Sequence, residues 1–380
     1  MSITSDDTPP PLPPGATIGI LGGGQLGRMS AMAAARLGYR CHVFAPDADS
    51  PGMQIAAETT VAAYEDAEAL RRFAAAVDVV TFEFENVPAE TLAALEPLAP
   101  CRPGVEVLRV CQDRIAEKEF LGRAGVPVAP WRAARSPDEL AAAVAAIGLP
   151  AVLKTTRLGY DGRGQAVLRD AAEAEAAWAG LEPKPLILEA FVPFAAEVSA
   201  IVARAADGSL AVFDAVENRH RNHILDASLA PARVPEEVAA TARGHAARVA
   251  AELDLVGVLA LEMFLLPDGA LLGNEIAPRP HNSGHWTLAA CLAGQFEQHV
   301  RAVAGLPLAD PSRHHDAVMR NLVGPEGLAA WPGIVRRGRS AAHLYGKNEA
   351  RPGRKLGHAT RLYPLGALAG LTEEELAAEM

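Results

Sequence analysis

The chain has 380 residues, 50% hydrophobic and 21% charged, a globular composition long enough for two or three domains. Its formal net charge of −11 argues against non-specific nucleic-acid binding, although a local basic cluster can still hold an anionic substrate. No uncharged apolar run approaches the ~18 residues of a membrane span. The scattered Cys41, Cys101, Cys111 and Cys291 form no C-x-x-C pair, which argues against a zinc site or disulfide framework and for a reducing cytosol.

Residues 1–15 are acidic and proline-rich, lack the basic and apolar stretches of a signal peptide, and read as a flexible tail. From 16 to 112, TIGIL, QLGRMSAMAAARLG, RCHVFAP and VDVVTFEF alternate strand-like and helix-prone character. That alternation predicts a small parallel α/β domain. Over 113–190 the helical stretches DRIAEKEFLGRAG and SPDELAAAVAAIG surround a strand, PAVLKT. From 191 to 305 apolar runs flank Asp207-Gly208 and Pro267-Asp268-Gly269, which predicts β-hairpins. LAVFDAVENR reads there as one strand and HWTLAACLAGQFEQHVRAVAG as one helix. Residues 306–380 read as short strands and loops with a basic cluster, YGKNEARPGRK. The expected class is α/β followed by α+β, without a 20–50-residue repeat.

Gly22, Gly24 and Gly27 satisfy G-x-G-x-x-G between a strand and a helix, with Asp47 twenty residues further on. This is the dinucleotide fingerprint. A ribose monophosphate suits the same loop, because glycines let the backbone approach a phosphate and the helix N-terminus offers free N–H groups. A tight strand–helix turn without a ligand is a third reading of the loop alone.

Three further features belong to phosphoryl transfer. Lys154 ends a strand and is followed by Gly159-Tyr160-Asp161-Gly162-Arg163-Gly164-Gln165, a glycine-rich flap beside a phosphate-binding cation. Glu262 and Glu275 lie in the two strands of the Pro267-Asp268-Gly269 hairpin, with Asn274 adjacent. Antiparallel pairing lets both carboxylates reach one point, and hard oxygen ligands that also touch phosphates suit Mg²⁺. Arg279-Pro280-His281-Asn282-Ser283-Gly284-His285-Trp286 then packs cationic, amide and hydroxyl donors into one turn. Singly, the lysine could be solvated on a surface hairpin and each glutamate could face solvent.

With these residues together the chain closely resembles the N5-carboxyaminoimidazole ribonucleotide synthetases, purine-pathway members of the ATP-grasp family. The resemblance rests on GILGGGQLGRM, TFEFENVP, QDRIAEKEFL, LKTTRLGYDGRGQ, VENRHRNHILDASLAPA, NEIAPRPHNSGHWT and RPGRKLGH, spread over about 17–360. GGGQLGRM and APRPHNSGHWT set these enzymes apart from their relatives; the related formate-dependent glycinamide ribonucleotide transformylases typically have Glu where Gln25 stands. Ala190 occupies a position often polar in the family, and Leu356 one often filled by methionine.

The resemblance implies an ATP-grasp fold with an N-terminal Rossmann-like domain and a small β-rich C-terminal domain. It implies a ligase that uses MgATP and bicarbonate, through carboxyphosphate, to carboxylate 5-aminoimidazole ribonucleotide. It places ATP phosphates at Arg114 and Lys154 under the flap Gly159–Gln165. The adenine edge falls to the largely backbone groups of Glu189, Ala190, Phe191 and Val192, and the ATP ribose to Glu197, with His220 in the same segment. Mg²⁺ goes to Glu262 and Glu275 beside Asn274. The substrate 5′-phosphate falls to Gly24, Gln25, Leu26, Lys347, Arg354 and Lys355, and its ribose to Glu83. Tyr160, Asp161 and Arg163 are placed near the amine, and Arg279, His281 and Asn282 around bicarbonate. A cytoplasmic homodimer is likewise implied. The rival readings are a dehydrogenase using Gly22–Gly27 and Asp47, a non-catalytic nucleotide binder on the same fold, and another ATP-grasp ligase.

Overall fold

The computed structural model describes residues 10–159, 163–372 and 374–376. Among them the strands form three sheets. The first comprises β1 (Thr17–Leu21), β2 (Arg40–Ala45), β3 (Glu58–Val61) and β4 (Val79–Phe82). They run parallel in the order β3-β2-β1-β4. β1 and β4 are apolar and almost wholly buried, as expected of strands covered on both faces. The helix Gln25–Arg36 starts directly from the glycine loop after β1.

The second sheet holds β5 (Trp131–Ala134), β6 (Ala151–Thr155), β7 (Gln165–Leu168) and β8 (Leu186–Ala190) in the antiparallel order β5-β8-β6-β7. β6 and β7 form the hairpin that carries the glycine-rich segment, with Lys154 opposite Gln165. The helix Arg114–Arg123 is capped by Asp113, which accepts the amides of Ile115 and Ala116 at 3.0 and 3.2 Å. That cap fixes where the helix begins, and so where Arg114 points.

The third sheet is antiparallel and built from β9 (Ala196–Arg204), β10 (Leu210–Val212), β11 (Val216–Arg221), β12 (Ile224–Ala230), β13 (Gly257–Leu265), β14 (Leu271–Ala277), β15 (Asp316–Val323), β16 (Ser340–Leu344) and β17 (Lys355–Tyr363). Its order is β14-β13-β9-β11-β12-β15-β17-β16, with β10 also on β9. The pairing of β12 with β15 carries the sheet without interruption past residue 306.

Three local expectations need correction. LAVFDAVENR is two strands, β10 and β11, which pair with different parts of β9 and are separated at Phe213–Ala215. Residues 285–305 are two helices, Thr287–Ala290 and Gln295–Ala304. The break is held by Thr287 Oγ1, which accepts the Gln295 amide at 2.9 Å, an interaction across eight residues that apolar periodicity does not encode. The C-terminal segment also contains a helix, Gly324–Val335, despite Pro325 and Pro332. Pro325 sits in the first turn, where no N–H is needed.

The helix Gln295–Ala304 joins the first sheet to the third. Its Phe296, Val300 and Val303 share a cluster with Ile18, Ile20, Met29 and Tyr345. Phe296 is fully buried, worth roughly 1.5–3 kcal/mol on its own. His299 Nε2 lies 3.0 Å from Thr81 Oγ1 at the end of β4. The cleft described next opens between these two sheets and the second.

Candidate active site

A cleft of about 1680 Å³ collects residues from the second and third sheets and from the segments that follow β1 and β4 of the first. From the second come Lys154 and Gln165, from the third Glu197, His220, Glu262, Asn274, Glu275 and Lys355, and from the glycine loop Gln25 and Leu26. Residues more than two hundred positions apart thus face one space.

At one end the cations are held by buried carboxylates. Lys154 Nζ lies 3.1 Å from Glu189 Oε2, and Lys118 Nζ approaches the same oxygen at 3.5 Å. Burial alone would raise the Glu189 carboxyl, but Lys118, Lys154 and Arg114 outweigh it and hold it at about 2. Burial in turn lowers Lys154 from its ordinary value. The Glu189 side chain therefore turns to the lysines. Phe191 lines the cleft half-exposed, while Ala190 and Val192 are not among the lining residues. Phe194 stacks on Phe264 at 4.8 Å beside it, and Glu197 Oε1 meets His220 Nδ1 at 2.9 Å.

The hairpin of β13 and β14 makes Glu262 and Glu275 direct cross-strand partners, with a register shift immediately after Glu262. Arg114 Nη1 reaches Glu275 Oε2 at 3.2 Å and Nη2 reaches the Gly159 carbonyl at 3.3 Å. Burial, and then the charge of Glu275, push Glu262 up to about 7. Two facing carboxylates that repel each other in a partly buried site are a donor set a hard cation would relieve, and Mg²⁺ is commonly held by one or two carboxylates plus substrate phosphates. The residues present fit such an ion.

Two groups here are not singled out by the sequence pattern. Lys118 is 1% exposed and donates to the Asn274 carbonyl at 2.9 Å. Glu117 accepts the Ile276 amide at 2.6 Å and is pushed up to about 8 by burial and by Glu275. Their signal, a charged pair three and four residues after Arg114 on a helix otherwise packed on the core, becomes visible only once the helix is placed against β14.

At the other end the glycine loop meets Glu83. The amides of Gly24 and Gly27 donate to its carboxylate, the latter at 2.8 Å. A Cβ on Gly24 would come within 2.5 Å of Glu83 Oε1, and Gly22, at φ +101°, would carry one into the Glu83 side chain. These glycines are required by the protein's own carboxylate before any ligand is considered. Burial raises Glu83 from its ordinary value, while the Gly27 and Gly24 amides, and after them Arg279 and Lys347, act in the opposite sense. Lys347 lies over the Tyr345 ring at 5.7 Å. Its loop is tied to the N-terminal region by Gln54 Nε2, which donates to the Gly346 carbonyl at 2.8 Å. Arg354 donates to the Glu349 carbonyl at 3.3 Å and does not line the cleft. Asp47 is exposed and accepts the amide of Asp49 at 3.0 Å.

Between the two ends Arg279 pairs with Glu85, another group the sequence pattern leaves unmarked. His281 Nε2 lies 3.2 Å from Glu262 Oε1, and burial together with Arg279 holds its imidazole well below the usual range. Both side-chain polar atoms of Asn282 are buried beside the cleft with no partner within the protein. Arg163 and Gln165 also line the cleft. Gly164, at φ +71°, packs so close to Thr155 that a Cβ would lie 2.6 Å from its Oγ1. Tyr160, Asp161 and Gly162 lie outside the described residues.

Comparison with known proteins gives this geometry a family. Residues 15–112 match the ribonucleotide synthetase preATP-grasp domain, 119–296 the ATP-grasp domain, and 317–364 the phosphoribosylaminoimidazole carboxylase C-terminal domain. The N5-carboxyaminoimidazole ribonucleotide synthase of Brucella melitensis is 51% identical over 93% of this chain and 98% of its own. The chain belongs to the N5-carboxyaminoimidazole ribonucleotide synthase family. The Bacillus subtilis synthase is 46% identical over 91% of each chain. Among solved structures, the ADP complex of a family synthetase superposes with a TM-score of 0.91 at 43% identity, covering 97% of each chain. The Aspergillus clavatus synthase, solved with ADP and 5-aminoimidazole ribonucleotide, gives 0.87 at 33% identity over 94% of this chain and 96% of its own. The fold is thus ATP-grasp, with a pre-ATP-grasp N-terminal domain and the family's C-terminal domain. Among the described residues no helix is long and apolar enough to cross a membrane.

Proposed function

We infer that this chain is the ligase that carboxylates 5-aminoimidazole ribonucleotide with bicarbonate at the expense of ATP, through carboxyphosphate. One observation carries the reading. A single cleft joins phosphate cations on a strand and at a capped helix start, and paired acids on two strands, to a glycine loop at a helix N-terminus, with Arg279, His281 and Asn282 between them. A dehydrogenase would need neither the paired acids nor Lys154, and Asp47 faces away into solvent.

Phosphoryl transfer is mostly positioning and charge neutralisation. Lys154 and Arg114 hold the ATP phosphates, with the segment Gly159–Gln165 over them. The backbone of Glu189, Ala190, Phe191 and Val192 edges the adenine, and Glu197 and His220 take the ribose region. Glu262 and Glu275, with Asn274 adjacent, would hold Mg²⁺, which supplies charge neutralisation at the transferring phosphoryl group. Arg279 and the donors of His281 and Asn282 orient bicarbonate so that one oxygen lies in line with the γ-phosphate. The aminoimidazole ribonucleotide enters from the glycine loop. Its phosphate is met by Gly24, Gln25, Leu26, Lys347, Arg354 and Lys355. Glu83 takes the sugar, and Tyr160, Asp161 and Arg163 approach the amine. The domain limits 16–112, 113–190, 191–305 and 306–380, the homodimer and the cytoplasmic setting belong to this reading too.

The test is ADP and phosphate release with bicarbonate and 5-aminoimidazole ribonucleotide omitted in turn. Full turnover should need both. Sustained release without either, or a requirement for a different amine, refutes the assignment.

A further inference from the structure

A row of buried hydrogen bonds crosses the large sheet beneath the cleft and ends on His281. Ser228 Oγ donates to Asn218 Oδ1 at 2.8 Å, Asn218 Nδ2 donates to Ser199 Oγ at 2.9 Å, and Ser199 Oγ donates to Ser283 Oγ at 2.8 Å. The three serines are fully buried and Asn218 is nearly so. Strand register sets Asn218 opposite Ser228, and Ser199 lies a diagonal step away on β9, opposite Val216 on one side and Glu262 on the other. With the Ser199 hydrogen directed at Ser283, the Ser283 hydroxyl is left to donate onward to His281 Nδ1, 2.9 Å away.

The polarity does not depend on which way the Asn218 amide is turned. The backbone N–H of Ser283 also points at His281 Nδ1, at 3.3 Å, and a backbone amide can only donate. Nδ1 is therefore an acceptor. A neutral imidazole with an accepting Nδ1 carries its hydrogen on Nε2, and Nε2 faces the Glu262 carboxylate at 3.2 Å, an acceptor suited to that N–H.

We propose that the Ser228–Asn218–Ser199–Ser283 row, acting together with the Ser283 amide, fixes His281 as the Nε2–H tautomer, so that the ring offers the cleft a hydrogen-bond donor and no lone pair. This rests on the carboxylation reading above and assigns His281 a task within it. The N–H, which meets Glu262 in this structure, serves an oxygen of bicarbonate or of its phosphorylated form once either is bound, and the ring does not take the proton of the incoming amine. Ser283, Ser199 and Asn218 act through the ring, as outer partners that set tautomer and orientation do for histidines in other sites. Three hydroxyls and an amide satisfying one another could serve packing alone. That alternative makes no demand on where the ring proton sits, which is what separates the two.

Two-bond proton–nitrogen NMR on protein carrying isotope-labelled histidine reads the tautomer directly, with His281 assigned by its loss in His281→Asn. The expected spectrum shows a bare nitrogen at Nδ1 and a protonated one at Nε2. A protonated Nδ1, or an imidazolium at neutral pH, overturns the proposal. Ser283→Ala keeps the amide donor and removes the hydroxyl. With only the longer amide contact left on Nδ1, it should loosen the hold on the Nε2–H form, admit a fraction of the Nδ1–H tautomer and raise the KM for bicarbonate roughly tenfold. Ser283→Thr should restore both, and the KM for ATP should stay within about twofold throughout. An unchanged ring spectrum and an unchanged bicarbonate KM in Ser283→Ala would remove the positioning role. If Ser283→Ala does not fold, the wild-type spectrum still decides the tautomer. Phosphate release that needs no bicarbonate overturns the anion assigned to the N–H and the carboxylation reading with it, whereas the nitrogen spectrum bears on the tautomer alone.

Discussion

The phosphate end of the cleft, around Lys154 and Glu275, and the glycine-loop end, around Gly24 and Glu83, hold their charges by different means. At the phosphate end the groups sit on strands or at a capped helix start and are fixed by one another: Lys118 and Lys154 on Glu189, Arg114 on Glu275. At the glycine-loop end a single carboxylate is fixed by backbone amides, and Lys347 and Arg354 arrive on a C-terminal loop held by Gln54. Charges locked by buried partners link activity to stability. Charges carried on a docked loop can be lost with little effect on the fold. The first end should therefore respond to substitution in stability and turnover, and the second mainly in KM.

The largest effect is expected at Glu189. Glu189→Gln leaves Lys118 buried without its counter-charge, which costs about 3–5 kcal/mol, read as a large fall in denaturation midpoint. The pH dependence has a definite sign. The folded carboxyl sits at about 2 against an ordinary 4.5, so its contribution is complete above pH 4.5 and is lost as pH falls towards 2. The variant should lack that limb of the acid-unfolding curve. A midpoint and acid limb like the parent's would show that the pairing contributes nothing.

Glu275→Gln should come next, losing at least about two orders of magnitude in kcat, near the ~3 kcal/mol of one transition-state electrostatic group, while the protein stays folded. Near-normal turnover at saturating Mg²⁺ takes Glu275 out of the metal site.

The opposite end sharpens the contrast. Lys347→Ala should raise the KM for the ribonucleotide by about tenfold, or ~1.4 kcal/mol, with the KM for ATP and the melting temperature almost unmoved. Arg354→Ala, whose guanidinium is turned to the Glu349 carbonyl, should have a smaller effect of the same kind. A larger loss in kcat than in KM from Lys347→Ala would erase the distinction between the two ends. The smallest effect belongs to Asp47→Ala, which should stay within about twofold of the parent in every constant. Loss of activity there would reopen the dinucleotide reading.

Much of this was legible from local signals. The strand–glycine–helix start, the hairpin that sets Glu262 against Glu275, and the lysine ending β6 each depend on residues close in sequence, where turn chemistry and the period-two pattern act directly. The helix break at Cys291–Gly294 and the helix over Pro325 and Pro332 were not legible. In the first a side chain eight residues away satisfies the backbone, and in the second Pro332 stands inside the helix, a position its type usually vacates.

By itself the sequence determined which residue types stand in which elements, and in what order the phosphate-binding motifs occur. Only the tertiary structure decided that Glu83 holds the amides of a loop 59 and 56 positions away, and that Glu85 meets Arg279 across 194 positions. It alone placed Lys118 and Glu117 beneath the paired acids, and joined β12 to β15 in one sheet. The physical reason is common to all of these. A buried charge is tolerated only beside a partner. That partner is chosen by how the sheets pack, through contacts between distant segments that no local periodicity records.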